Sequence, residues 1–100
     1  MTPDLATLRR LVDLVDAELA ALPAIDTADL DTFRKRRGAV EAAARRLALE
    51  GARSAGDGSL HRFALAGIRS SSTMGLDGAM QNWAVAARKK HPSLEAGGAE

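Results

Sequence analysis

Ser59-Leu-His-Arg-Phe-Ala-Leu-Ala-Gly-Ile-Arg69 is the stretch on which the fold turns. Wound as a helix, it puts Leu60, Phe63, Ala64, Gly67 and Ile68 on one face, with Ser59 placed to cap the first turn. Laid out as one strand, it separates less cleanly. Leu60, Ala64, Ala66 and Ile68 share a face with Arg62, while Phe63 and Leu65 share theirs with His61. A strand here would also stand alone in the chain and need a second subunit to pair its edges. The spacing therefore predicts a helix over about 60–69, with a short strand as the alternative.

Downstream, Ser70, Ser71, Ser72 and Thr73 read as a turn and capping segment, with Ser72 or Thr73 opening a last helix. Leu76, Met80, Trp83, Ala84 and Ala87 then form one apolar face. Arg88, Lys89, Lys90 and His91 suit the negative end of the helix dipole, and Pro92 stops the helix. Residues 93–100 are small and polar and are expected to form a flexible tail.

Upstream, Ser54-Ala-Gly-Asp-Gly58 reads as a flexible connector. Before it, two helices are predicted. The first has Thr2 as cap, Pro3 at its first position and a seam of Leu5, Leu8, Val12, Val15, Leu19 and Leu22, and Pro23 ends it. The second runs from a Thr27 cap to about Arg53, burying Leu30, Phe33, Val40, Ala44 and Leu47. Gly38 interrupts it, marking a kink or a close helix contact. The short connection dictates an antiparallel hairpin. The predicted architecture is all-α: a helical hairpin over 1–53, a connector over 54–58 and a C-terminal helix pair over 59–92, forming one domain.

A chain of 100 residues is the size of one core and buries roughly two thirds of its unfolded surface. It contains no Cys, which excludes disulfides, thiolate metal sites and Cys nucleophiles. His61 and His91 lack a partner His nearby, so no metal or other cofactor is expected. The N-terminus lacks the pattern of a signal peptide and no apolar run spans a membrane, so a cytoplasmic protein is expected. High Ala and Arg with little Lys point to a GC-rich bacterial or phage genome.

Charge is uneven along the chain. Residues 1–53 carry nine basic and nine acidic side chains, whereas residues 59–92 carry five basic against one acidic, Asp77. The second half is therefore the part suited to an anionic partner. The run Arg34-Lys35-Arg36-Arg37 points around a whole helix circumference and follows an acidic tract, so internal charge balance and solvation are its expected role, with a ligand-facing patch as the alternative.

Phe63-Ala-Leu-Ala-Gly67-Ile-Arg-Ser-Ser-Ser-Thr-Met74 resembles the turn region of a helix-turn-helix: a first helix, a Gly at the turn and an apolar residue after it. The resemblance implies a second helix whose start meets phosphates and base edges. Arg62, Arg69, Ser70, Ser71, Ser72, Thr73, Arg88, Lys89 and Lys90 are then the candidate DNA-binding residues of a small regulator. The alternative is a protein-interaction module anchored on Met80 and Trp83, an adaptor or an inhibitor of a host or phage factor. A homodimer is expected in either case.

Residues Leu8–Leu22 resemble the opening of the first helix of the all-helical chorismate mutases, which implies an anionic-substrate contact for Arg9. Pro23 ends the helix where that family's continues, and the pocket's later Arg and Lys have no counterpart. No other catalytic constellation is present, so a non-enzymatic protein is expected.

Overall fold

Two helices, a three-stranded sheet and a third helix follow one another along the chain in the computed structural model, which describes residues 4–92. They are α1 (Leu5–Ala20), α2 (Leu30–Ala48), β1 (Arg53–Gly56), β2 (His61–Leu65), β3 (Ile68–Ser72) and α3 (Leu76–Lys90). The sheet order is β1-β2-β3 with both pairings antiparallel. The fold is thus α+β, which overturns the all-α prediction and the helix over 60–69. The helix-turn-helix goes with it.

The reason lies at Ala66 and Gly67. Both have positive φ, 56° and 78°, and form a two-residue hairpin turn of the kind whose twist suits antiparallel strands. Leu65 then faces Ile68, and Phe63 faces Ser70. Across such a turn the alternation is inverted. Odd-numbered residues before it and even-numbered residues after it share one face. Phe63, Leu65 and Ile68 therefore lie together on the buried face, 1%, 2% and 7% exposed. No single period-two reading of 59–69 joins them. The strand does not stand alone either, because the connector supplies β1 and the capping segment supplies β3.

Helix α3 lies against this inner face. Ala79, Met80, Trp83, Ala84 and Ala87 recur at helical spacing and are all buried. The Trp83 ring meets Phe63 edge to face, 6.1 Å between centroids, and its Nε1 donates to the Leu65 carbonyl at 3.0 Å. Ser70 points inward as well, its Oγ donating to the Ala79 carbonyl at 2.6 Å. Gly78 lets the helix come this close, since a Cβ there would lie 2.5 Å from Ser72 Oγ. The N-cap of α3 is Gly75, not Ser72 or Thr73, and Ser72 Oγ instead accepts from the Met74 amide.

Helix α1 covers the far side of α3 with Leu8, Leu11, Val12 and Val15, and α2 adds Val40, Ala43 and Leu47 to the same core. The ion pair Glu18–Arg46 (2.7 Å) joins α1 to α2, and Arg10–Glu50 (2.8 Å) joins α1 to the turn that follows α2, the order in which a segment antiparallel to α1 meets it. Asp4 caps α1 by accepting from the Thr7 amide at 2.7 Å, in place of the predicted Thr2. Likewise Asp29, not Thr27, caps α2. That helix ends at Ala48, short of the predicted Arg53, because the chain turns there into β1. Nothing lies within 4 Å of a Cβ built at Gly38, so the helix contact expected there is absent. The predicted tail, 93–100, falls outside the described residues. No helix among the described residues is long and apolar enough to cross a membrane.

Candidate nucleic-acid interface

The helices occupy only one side of the sheet. On the other side, strand alternation brings out Arg53 and Ala55 from β1, Arg62 and Ala64 from β2, and Arg69 and Ser71 from β3. Ala64 lies directly between Arg53 and Arg69 in one row, and Arg62 lies between Ala55 and Ser71 in the next. With strands spaced ~4.8 Å apart and ~3.4 Å per residue, Arg53 and Arg69 have their backbones about 10 Å apart. Arg62 stands about 7 Å further along the central strand.

Between these arginines the floor is small. Ala55, Ala64 and Ser71 leave a shallow depression of ≈ 570 Å³, lined also by Arg53, Arg62 and Arg69. No carboxylate borders it. All three arginines are exposed, and among the described residues none of them forms an ion pair. On the helices Arg10, Arg36, Arg46 and Arg88 each hold a carboxylate, whereas Arg34, Arg37 and Arg45 of α2 form no ion pair among the described residues. A guanidinium on a flat, acid-free sheet face presents its whole donor fork to solvent, which suits it to a bidentate oxyanion such as phosphate.

The candidates named from sequence are divided by this arrangement. Arg62, Arg69 and Ser71 come together on the outer face. Ser70 and Ser72 point to the inner face, where Ser70 bonds the Ala79 carbonyl of α3 and Ser72 accepts from the Met74 amide in the connection before that helix. Thr73 is exposed beyond the end of β3. Arg88 is tied to Asp16 of α1, and Lys89 and Lys90 are exposed at the C-terminal end of α3, so none of the three borders the depression. Met80 and Trp83 are 0% exposed and belong to the core. His61 begins β2, half-buried, rather than sitting on a helix surface. Arg9 is exposed on α1.

Arg53 is the residue that sequence reasoning missed, because it was placed at the end of a helix. The available signal was the Gly56-Asp57-Gly58-Ser59 cluster, which marks a hairpin when strands flank it. Here Asp57 closes that turn. Its carboxylate accepts from the amides of Leu60 (3.0 Å) and Ser59 (3.1 Å) and from the Ser59 hydroxyl (2.9 Å). These bonds, the Leu60 amide foremost, lower its pKa to about 2.

No protein-family model matches the chain, and no curated protein or solved structure is significantly similar to it.

Proposed function

We propose that this protein binds duplex DNA through the outer face of its sheet, with Arg53, Arg62 and Arg69 gripping phosphates and Ser71 adding a hydroxyl donor. The observation that carries the reading is the cluster of three exposed arginines, drawn from three strands, around a floor of small side chains with no acid beside it. Strands laid against a DNA groove are an established mode of recognition, and phosphate contacts supply most of the affinity of small modules.

The same face argues for duplex rather than single-stranded nucleic acid. Single strands are held by aromatic side chains on which bases stack. This chain has two Phe, one Trp and no Tyr. Phe63 and Trp83 are buried, and Phe33 lies on α2. The outer face offers no stacking platform. As for a protein-interaction module anchored on Met80 and Trp83, burial of both residues removes its anchor.

Anisotropy of labelled duplex DNA, titrated at several salt concentrations, tests the proposal. Three phosphate contacts give a log–log salt slope of about −2.7, so affinity drops roughly 40-fold between ~50 and ~200 mM salt. Arg53→Ala, Arg62→Ala and Arg69→Ala should each make the slope shallower by about 0.9. Absence of binding at low salt, or binding that all three variants leave unchanged, sinks the reading.

A further inference from the structure

The two edges of the sheet are treated differently. The two-residue turn makes Leu65–Ile68 a hydrogen-bonded pair, and alternation then makes Phe63–Ser70 and His61–Ser72 bonded pairs also. Arg62 and Ala64 consequently direct their backbone groups to β1, where they bond Ala55 and Arg53. The outward groups are those of Arg69 and Ser71 on β3, and of Ser54 and Gly56 on β1. On β3, Asn82 of α3 reaches across and donates to the Ser71 carbonyl at 2.8 Å. On β1 no element among the described residues lies against the outward backbone groups of Ser54 and Gly56, and all four strand residues are exposed.

Native edges are blunted by Pro, Lys, bulges or a covering element. The β1 edge, Arg53-Ser54-Ala55-Gly56, is short and carries a charge at Arg53, but it has no Pro, Lys or covering element, and Ser54, Ala55 and Gly56 are small. An antiparallel partner carrying the same edge fits it in one register. Ser54 of each copy pairs with Gly56 of the other, Ala55 meets the second Ala55 on the two-fold axis, and Arg53 of each copy falls opposite Asp57 of the other. Unlike charges thus face each other at both ends of the joint.

Beyond β1 on the helical side lies a groove of ≈ 540 Å³ that includes Gly58 and His61, is bordered by Ile25, Phe33 and Met74, and carries Arg36, Arg37, Glu41 and Asp77 on its walls as well. It runs into the hollow under Ser54 and Gly56, which shares Gly58 and His61 with it. Ile25, Phe33 and Met74 are 44%, 40% and 82% exposed. Two four-residue edges are small against the ~1,200–2,000 Å² of a specific interface. A two-fold axis perpendicular to the sheet keeps both grooves on the helical side of the joined sheet, where the exposed Ile25, Phe33 and Met74 of each copy are the apolar surface available to extend the joint.

We propose that two copies of this chain join through β1 into a continuous six-stranded sheet, with the helices of both on one side and six arginines on the other. The pairing stands on the edge, the register and the groove. Its consequence for DNA, a two-fold face on which Arg62 and Arg69 of each copy stay clear of carboxylates while each Arg53 stands opposite Asp57 of the other copy, rests on the function proposed above.

Because the chain has no Cys, a single introduced thiol reports the joint without interference. Ala55→Cys would place two thiols opposite each other with Cα atoms ~4.5 Å apart, inside disulfide range. Val85→Cys, on the exposed side of α3, is the control. Light scattering on the full chain should give twice the 10.5 kDa chain mass, and mild oxidation should link Ala55→Cys but not Val85→Cys into dimers. Ala55→Lys, which sets like charges across the axis, should be monomeric with the parent's circular dichroism. A parent that is monomeric throughout the micromolar range overturns the proposal. So does a dimer that Ala55→Lys leaves intact or that Ala55→Cys fails to link. None of these measurements contains DNA, so a failure of DNA binding is read separately.

Discussion

Ala66 holds the left-handed backbone conformation, φ 56°, that Asn and Gly adopt with less strain. It stands at the first central position of a turn whose preferred sequence is Asn-Gly, and Gly67 already fills the second. Ala66→Asn should therefore raise stability by about 0.5–1 kcal/mol, read as a higher denaturation midpoint with an unchanged m-value. At the other hairpin turn, Asp57 has a native pKa of about 2, below its ordinary value of 3.8, because three donors bind the charged form. A depressed pKa stabilises the folded state once pH exceeds the unfolded value, and that contribution disappears as pH falls from about 4 to about 2. In Asp57→Asn the melting temperature should vary less over that window than in the parent.

Between elements, two glycines give opposite expectations for one substitution. Gly38 sits within α2 with open space around it, so Gly38→Ala should stabilise by about 0.5–1 kcal/mol through the lower entropy of the unfolded chain. Gly78 sits where α3 meets β3, and an added Cβ would lie 2.5 Å from Ser72 Oγ, 3.2 Å from Ser72 Cβ and 3.3 Å from Met74 Cβ. Gly78→Ala crowds Ser72 and Met74 where helix and hairpin meet and should cost about 1–3 kcal/mol. Thermal melts of the two variants should move in opposite directions. Helix α3 illustrates why its own residues were legible and its neighbours were not. Its apolar stripe is local and regular, whereas the strands it covers share a face only once the turn between them is known.

Across the whole molecule, Arg36 ties three parts together. Its guanidinium donates to Asp77 in the first turn of α3 at 2.9 and 3.2 Å, and to the Pro23 carbonyl after α1 at 2.9 Å. The basic run around it was expected to balance the acidic tract of the N-terminal half, and among the described residues the carboxylate it holds, Asp77, comes from α3 instead. Both side chains are mostly buried, so Arg36→Ala should destabilise by about 1–2 kcal/mol. Arg36→Lys should recover little of this, since an ammonium cannot reproduce the three directed bonds. Urea denaturation of both variants checks it. Of the candidate site, Arg62, Arg69 and Ser71 were named from the sequence because their charge and position were visible there. Arg53 was not, because it joins them only when β1 folds back on β2.

Local pattern alone determined the cores of three helices. Apolar side chains at three- and four-residue steps name the buried stripes of α1 and α3 and part of that of α2, and Pro23 and Pro92 set approximate ends. The absence of Cys likewise decided what chemistry is excluded. The tertiary structure alone decided the sheet. Its strands are four or five residues long, β1 and β3 consist mainly of Ser, Ala, Gly and Arg, and none of that favours a strand on local propensity. They pair because Phe63, Leu65 and Ile68 find Trp83 and its neighbours on α3, and burial of that surface outweighs the weak local preferences. The same pairing gathers three arginines, distant in sequence, onto one open face.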